Sequence, residues 1–216
     1  MRVVAVPVKS LDRSKSRLTP VLSPPERTRL TMAMLETVLD ACLAQPGWET
    51  WVISRPGLPL DLASERGARI VRERRATLLE AVAQVEADSR SEGAAELAVV
   101  LADLPFVTAE SLASVLSAEA SVVAAPSISD GGTNALVRRP PSVISARFGR
   151  SSFAKHRAET YRRGLTFESV EKPRLAFDLD RPEDLIAIIE SDEPTRTRVT
   201  CLEMGLTDRL KLEICG

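Results

Sequence analysis

Two short apolar runs, at residues 3–8 and 97–102, constrain the fold more than any other feature of the sequence. Runs of this length are typical of strands that are buried on both faces, as in a parallel sheet. The first run is followed by a polar loop and then by a marked helix start, with Ser23 as N-cap, Pro24 at the first position and Glu26 at the third. Strands that alternate with helices in this way predict an α/β layered fold with a mostly parallel sheet and helices on both faces.

Periodicity and turn residues predict the other elements. Strands are expected at residues 51–54, 69–71, 122–125, 135–138, 167–170 and 176–179, and helices at 24–44, 78–89, 109–118, 151–163 and 182–191. The segment from about residue 194 is mixed and receives no assignment. At about 100–200 residues per domain, the chain is expected to form a single domain over residues 1–216.

Charge and composition exclude several classes of protein. The net charge is −1, from 29 basic and 30 acidic residues, so there is no basic excess for general nucleic-acid binding. No run approaches the roughly 18 apolar residues of a membrane span, and the first residues lack the apolar core of a signal peptide. The cysteines Cys42, Cys201 and Cys215 are too scattered for a disulfide framework or a zinc knuckle. We therefore expect a cytoplasmic protein without nucleic-acid or membrane partners.

His156 is the single histidine of the chain. A metal site with several histidines is therefore impossible. Because His156 lies between Lys155 and Arg157, the charged surroundings predict a solvated helix face.

Three groups of polar residues fall where a parallel sheet binds ligands, outside the carboxyl ends of its strands. Lys9, Lys15 and Arg17 lie in the loop after the first strand and either bind phosphates or form a solvated basic loop. GxxxxGK[ST] and GxGxxG are both absent, which disfavours a P-loop NTPase and a standard NAD-binding domain.

The second group is acidic. Asp103 follows the apolar run at 97–102 and either holds a divalent ion or forms a turn. Asp178 and Asp180 follow an apolar stretch, and on a strand both would face the same side. Asp180 is alternatively, or in addition, the N-cap of the helix that begins at Pro182.

The third group consists of two glycine-containing loops. In the first, Gly131 and Gly132 precede Thr133 and Asn134, so a ligand could approach the backbone closely. In the second, residues 148–152 resemble an anion nest at a helix N-terminus, although a serine there could simply cap the helix.

Taken in order, these motifs are more specific than any one of them. They are Val8-Lys9-Ser10-Leu11, Lys15-Ser16-Arg17-Leu18, Ala102-Asp103-Leu104-Pro105, Gly132-Thr133-Asn134-Ala135-Leu136, Phe148-Gly149 and Phe177-Asp178-Leu179-Asp180 with Pro182-Glu183-Asp184-Leu185. Over residues 3–189 the chain resembles the phospholactate/phosphoenolpyruvate guanylyltransferase family of deazaflavin (factor 420) coenzyme biosynthesis. The resemblance implies the Rossmann-like three-layer α/β/α sandwich of GT-A nucleotidyltransferases.

The resemblance also implies a reaction, in which a three-carbon phosphoacid attacks the α-phosphorus of the substrate GTP and diphosphate leaves. Catalysis of this kind needs positioning and charge neutralisation and does not require a histidine. The roles implied are Mg²⁺ binding, with two ions, by Asp103, Asp178 and Asp180; binding of the GTP phosphates or of the acid by Lys9, Lys15 and Arg17; and binding of the phosphoacid by Thr133, Gly149 and Ser152. Lys15 and the three aspartates would be catalytic.

One position departs from the family pattern. Members often carry Gly-Leu-Asn near the nucleotide base, whereas this chain has Thr77-Leu78-Leu79, and Leu79 cannot make the hydrogen bonds of an Asn amide.

The sequence leaves the acid substrate open between phosphoenolpyruvate, 2-phospholactate and 3-phosphoglycerate. The alternatives are another nucleotidyltransferase of this fold that acts on a sugar phosphate or a molybdenum cofactor, and a non-catalytic nucleotide-binding protein. The expected partner is a downstream deazaflavin transferase, and the chain would be a monomer or a homodimer.

Overall fold

The computed structural model describes residues 1–11, 15–75 and 77–214. The strands are β1 (Arg2–Pro7), β2 (Glu49–Ser54), β3 (Arg69–Arg72), β4 (Glu96–Val100), β5 (Val122–Pro126), β6 (Thr133–Arg138) and β7 (Phe167–Ser169). The helices are α1 (Pro24–Leu43), α2 (Leu58–Glu65), α3 (Leu78–Ser91), α4 (Ala109–Leu116), α5 (Ser152–Arg162), α6 (Pro173–Ala176), α7 (Pro182–Glu190), α8 (Arg196–Glu203) and α9 (Leu206–Ile214). A short 3-10 turn covers Ser16–Leu18.

The strands form one seven-stranded sheet in the order β3-β2-β1-β4-β6-β5-β7. Strand β6 runs antiparallel to both of its neighbours, with Val99 of β4 opposite Leu136 and Val123 of β5 opposite Val137. The other paired strands are parallel. The predicted mostly parallel α/β architecture is therefore confirmed, and β6 is the strand that reverses direction.

Alternation along the central strands builds the layers. Val4 and Val6 of β1 belong to a core shared with α1, α2 and α4, whereas Val3 and Ala5 belong to a separate core that includes α3. Successive side chains of a strand point to opposite faces, so a strand that is apolar at every position is covered by helices on both sides. The result is the predicted three-layer α/β/α sandwich.

Helix α1 begins where the sequence indicates. The Glu26 carboxylate accepts hydrogen bonds from the backbone N–H of Ser23 at 2.8 Å and from its hydroxyl at 2.7 Å. Arg209 of α9 also binds Glu26, and its hydrogen bond is the main cause that lowers the pKa of Glu26 to about 2. The segment after residue 194, which the sequence left unassigned, thus forms two helices, and the second is tied to the start of α1.

Two predictions near residue 180 are wrong. Residues 176–179 do not form a strand, because Pro173 begins the short helix α6 and residues 177–180 that follow have no regular structure. Asp180 is not the N-cap of α7; Arg181 holds that position. The Asp184 carboxylate instead accepts the N–H groups of Asp180 and Arg181, each at 2.7 Å. Helix α2, which no pattern in the sequence predicted, is a further difference.

In the described part of the chain no helix is long and apolar enough to cross a membrane. Cys42 and Cys201 are free and buried, and burial raises the pKa of each thiol to about 12. Cys215 lies outside the described residues.

The sheet-facing side of α1 offers a direct test of the packing. Leu39 is fully buried against the sheet, whereas Leu43, one turn later on the same helix, is 38% exposed. We expect Leu39→Ala to lower the free energy of unfolding by about 2–5 kcal/mol, because it leaves a cavity in the core. Leu43→Ala is the matched control and should change it by no more than about 0.5–1 kcal/mol. Urea unfolding at pH 7 measures both, and equal losses would contradict the difference in burial between Leu39 and Leu43.

Candidate active site

A cavity of about 420 Å³ lies beyond the carboxyl ends of β1, β4 and β5. Because β6 is reversed, its first residues line the same cavity. Eight of the nine site residues predicted from the sequence line its wall: Lys9, Lys15, Arg17, Asp103, Thr133, Gly149, Asp178 and Asp180. The ninth, Ser152, is fully buried and is not among the lining residues.

Lys15 and Asp103 form the central ion pair of the cavity. The Lys15 Nζ donates to Asp103 Oδ2 at 2.8 Å and also to the backbone carbonyl of Leu179. The Lys15 side chain is only 7% exposed. The backbone of Lys15 has a φ of 51°, in the left-handed region that non-glycine residues seldom adopt. The loop after β1 therefore carries its cation into the cavity instead of into solvent.

The second carboxylate oxygen of Asp103 has no such partner. Asp103 Oδ1 is buried and accepts no hydrogen bond from any group in the described residues. A buried polar atom without a partner costs free energy, and native structures seldom keep one without a reason. A carboxylate oxygen is the hard ligand that Mg²⁺ prefers. This orphaned oxygen therefore fits a metal ligand.

Asp178 lies beside Asp103 and is held by hydroxyl and amide donors. Ser127 Oγ donates to Asp178 Oδ1 at 2.5 Å, and Ser129 Oγ donates to Oδ2 at 3.0 Å. Burial raises the pKa of Asp178, and the negative charge of Asp103 adds to the rise, while the donors oppose it. Two neighbouring carboxylates that are partly removed from water gain from a cation between them.

Asp180 behaves differently from the other two aspartates. Its Oδ2 pairs with Arg17, whose side chain is mostly exposed at the mouth of the cavity. Among the described residues, no group of three or more His, Cys, Asp or Glu side chains is arranged to hold a metal ion. Mg²⁺ usually takes only one or two carboxylates from protein and completes its shell with phosphate oxygens and water. Asp103 and Asp178 fit that requirement, whereas Asp180 is engaged by Arg17.

Asn134, at the start of β6, positions the acidic segment. It is buried, and its Nδ2 donates to the carbonyls of Leu175 at 2.8 Å and Ala176 at 3.2 Å. The Leu179 N–H donates to the Asp103 carbonyl at 3.1 Å. These bonds fasten α6 to β6, and the irregular stretch after α6 to the loop after β4. They bring Asp178 to Asp103 although the two are far apart in sequence.

Ser127 and Ser129 were not singled out as site residues by the sequence, although a signal was present. Both follow β5, at the same carboxyl edge as the residues that follow β1 and β4. Applying the edge rule to every parallel strand would have found them. Their small hydroxyl side chains are so common in turns that residue type alone does not distinguish them.

The prediction that His156 lies on a solvated helix face is wrong. His156 is fully buried, and its Nδ1 lies 3.1 Å from Thr133 Oγ1 while its Nε2 accepts the Arg147 N–H at 2.9 Å. Ser152 Oγ also donates to Thr133 Oγ1, at 3.0 Å. The charged neighbours of His156 in sequence point elsewhere, because residues adjacent on a helix do not share a face. The burial lowers the pKa of His156 to about 4.

The two glycine loops have distinct geometry. A Cβ on Gly132 would lie 2.5 Å from Asp130 Oδ1, and that oxygen accepts the Gly132 N–H at 2.7 Å. Gly149 has a φ of 119°, which strongly favours glycine. In the predicted anion nest, however, the Ser152 N–H donates to the Gly149 carbonyl and the Ser151 N–H to the Asp130 carbonyl. Those two amides are thus used within the protein.

Leu78 and Leu79, at the start of α3, lie at the position where the sequence departs from the family pattern. Leu78 lines the cavity, whereas Leu79 is 47% exposed and does not. Thr77 caps this helix, since its Oγ1 accepts the Glu80 N–H at 3.2 Å. The wall of the cavity here is therefore apolar.

The buried imidazole predicts a specific pH dependence of stability. Its pKa is about 4 when folded, against 6.5 as the ordinary value, so the unfolded chain binds the proton more readily. The folded state therefore keeps its full stability above about pH 6.5, where His156 is neutral in both states. It loses stability as the pH falls from about 6.5 to about 4, because the unfolded chain takes up the proton first. We expect the wild type to lose on the order of 3 kcal/mol more than His156→Asn between about pH 6.5 and 4. Urea unfolding at a series of pH values measures this, and parallel losses in the two proteins would contradict it.

The fold agrees with what comparisons with known proteins show. The sequence model of the family described as "Guanylyl transferase CofC like" matches residues 1–211. A phosphoenolpyruvate guanylyltransferase of Sphaerobacter thermophilus is 37% identical over 186 residues, covering 85% of this chain and 90% of its own length. A 2-phospho-L-lactate guanylyltransferase of Haloarcula marismortui is 39% identical over 191 residues, covering 86% and 84%. A 3-phospho-D-glycerate guanylyltransferase of Phenylobacterium zucineum is 36% identical over 192 residues, covering 85% and 88%.

Solved structures agree on the fold. A protein of Desulfovibrio desulfuricans G20 described as a nucleotide-diphospho-sugar transferase superposes with a TM-score of 0.77, at 16% identity and 97% coverage of both chains. A nucleotidyl transferase of Methanothermobacter thermautotrophicus gives a TM-score of 0.63 at 17% identity, covering 87% of this chain and 95% of its own. The resemblance inferred from the ordered motifs is thereby confirmed, and this chain belongs to the CofC-like guanylyl transferase family of nucleotidyltransferases.

Proposed function

We propose that this protein transfers the guanylyl group of GTP to the phosphate of a three-carbon phosphoacid and releases diphosphate, as a step in deazaflavin coenzyme biosynthesis. The acids named for its relatives are phosphoenolpyruvate, 2-phospho-L-lactate and 3-phospho-D-glycerate. The observation that carries the proposal is the Lys15–Asp103 pair, with its unpartnered buried carboxylate oxygen, inside the cavity at the carboxyl edge of the sheet. The Lys15 ammonium group could bind a phosphate oxygen of a triphosphate, while the adjacent Asp103 oxygen binds the Mg²⁺ that accompanies it.

The chemistry requires positioning more than covalent help from the protein. An oxygen of the acid's phosphate forms a bond to the α-phosphorus of GTP, and the bond from that phosphorus to the bridging oxygen breaks. Diphosphate leaves with the electron pair of the broken bond. Holding the two phosphates in line and neutralising their charge supplies most of the rate acceleration in such reactions. The reaction needs no proton transfer by an imidazole, which agrees with the complete burial of His156 and its absence from the residues that line the cavity.

The basic residues of the loop after β1 would neutralise phosphate charge. Lys15 is almost completely enclosed, so its ammonium group acts in a site where water screens it little. Lys9 and Arg17 lie on the exposed side of the cavity. Lys15 would therefore contact the reacting phosphates and act catalytically, while Lys9 and Arg17 would attract and hold the outer phosphates of GTP.

Asp103 and Asp178 would hold Mg²⁺. When bound, the ion would offset the charge of the α-phosphate and of the departing diphosphate. Ser127 and Ser129 orient Asp178 for this purpose. Binding of a second ion would need Asp180, which Arg17 would have to release.

The acid would bind near the start of β6. Thr133 and Gly149 line the cavity there and would contact the acid, whereas Ser152 would act through Thr133. The product, an acid linked to guanosine by a diphosphate, would be passed to a deazaflavin transferase in the cytoplasm. The single-domain organisation over residues 1–216, and a monomeric or homodimeric state, also belong to this proposal.

The activity is tested by diphosphate release. Purified protein, Mg²⁺ and GTP are combined with each of the three acids in turn, with a deazaflavin acceptor and its transferase present to trap the product. We expect release with GTP and with one acid strongly preferred. Replacement of GTP by ATP shows whether the apolar wall at Leu78 still permits selection of guanine. Absence of release with every pair, from protein shown to be folded, would contradict the proposed reaction.

Asp103→Asn tests the role of the unpartnered oxygen. We expect a fall in kcat of at least about a hundredfold, because the neutral amide binds a divalent cation poorly and a lost electrostatic partner is typically worth that much. Asp61→Asn is the matched control, since Asp61 is exposed on α2 and is not among the cavity-lining residues. Turnover is followed as diphosphate released at several Mg²⁺ concentrations. Equal activity of the two variants would remove Asp103 from the reaction.

A further inference from the structure

A buried hydrogen-bond network lies directly behind the cavity wall at Thr133. Thr133 lines the cavity, yet it is only 2% exposed, and the two residues behind it, Ser152 and His156, are completely buried. His156 reaches Thr133 Oγ1 through Nδ1 at 3.1 Å, and Ser152 Oγ reaches the same oxygen at 3.0 Å. Burying polar groups costs free energy of folding unless each of their donors and acceptors is hydrogen-bonded.

The backbone N–H of Arg147 decides the tautomer of His156. This group can only donate, and it lies 2.9 Å from Nε2. Nε2 must therefore accept and carries no hydrogen, so in the neutral ring the hydrogen is on Nδ1. Glu159 fixes the loop that supplies this donor, since its carboxylate accepts the Ser145 N–H and Arg147 Nε, each at 3.2 Å. The neutral form agrees with the lowered pKa of His156, which burial causes and the charge of Arg138 strengthens.

Two donors consequently meet one hydroxyl oxygen. Nδ1–H of His156 and Oγ–H of Ser152 occupy the two lone pairs of Thr133 Oγ1. The hydroxyl hydrogen of Thr133 has to point away from both donors. In the described part of the chain Thr133 Oγ1 donates to no acceptor, and the open side of the residue is the cavity.

We propose that His156 and Ser152 are positioning residues that make Thr133 a fixed hydrogen-bond donor towards an anionic oxygen of the three-carbon phosphoacid. This inference rests on the proposed function and extends it. A serine or threonine hydroxyl ordinarily rotates to donate or accept as its partner requires. Here the two donors fix the hydroxyl in advance, so the cavity favours a carboxylate or phosphate oxygen at this point and rejects a group that can only donate, such as an ammonium.

The tautomer is tested first, on the wild-type protein and without any substrate. Since His156 is the only histidine, a long-range ¹H–¹⁵N spectrum of uniformly labelled protein reports this one ring without assignment. We expect a neutral ring with its hydrogen on Nδ1 at pH 7. A hydrogen on Nε2, or a charged ring at that pH, would overturn the proposal whether or not the protein transfers guanylyl groups.

The consequence for substrate binding is tested with a double-mutant cycle. Thr133→Val and His156→Phe should each raise KM for the acid roughly tenfold, the value of a hydrogen bond to a charged partner, and leave KM for GTP nearly unchanged. In the Thr133→Val background His156→Phe should add little, because its effect passes through the hydroxyl. His156→Asn keeps an N–H close to the position of Nδ1, so its KM for the acid should be close to that of the wild type and well below that of His156→Phe.

A full additional effect of His156→Phe in the Thr133→Val background would show that the histidine is merely structural, and so would equal changes in both KM values. Thermal unfolding identifies variants that do not fold, and Ser152→Ala then replaces His156→Phe in the cycle. If the wild type shows no transfer with any acid, the proposed function fails, while the spectrum still decides how the Thr133 hydroxyl is held.

Discussion

The reversal of β6 is the constraint on which the site depends. Six strands of the sheet run in one direction, so their polar loops gather at one edge. Strand β6 runs the opposite way between β4 and β5, and its first residues, Thr133 and Asn134, therefore reach that same edge as part of a strand. A strand is held by hydrogen bonds on both sides and is more rigid than a loop. The cavity consequently has one wall made of regular structure.

Asn134, which lies on this rigid strand, fixes the position of the segment that carries Asp178 and Asp180. Its amide donates to the carbonyls of Leu175 and Ala176, which lie in the four-residue helix α6. The Leu179 N–H then joins the backbone at Asp103. An irregular segment would otherwise move freely, but buried polar groups need partners and the tether supplies them. Two carboxylates are thus held together despite their mutual repulsion.

Charge in the cavity is nearly balanced before any ligand binds. Lys15 pairs with Asp103 and Arg17 pairs with Asp180, while Asp178 is stabilised by neutral donors. The proposed magnesium–nucleotide complex brings both a cation and an anion, so the members of the two ion pairs would each exchange a protein partner for one on the ligand. Such an exchange keeps charged groups paired throughout, which limits the desolvation cost of binding.

Much of this protein could be predicted from sequence because the signals were local. The strands followed from apolar runs, α1 followed from Ser23, Pro24 and Glu26, and the cavity followed from polar residues after parallel strands. Burial of His156 was not predictable, because Lys155 and Arg157 beside it are charged and only the packing of α5 decides which side faces inward. The course of residues 177–180 was equally hidden, since it is set by Asn134 and Asp103, more than forty residues away. Local patterns determine which segments are helices or strands; which polar groups meet in the interior is decided by contacts between distant segments, and those exist only in the folded chain.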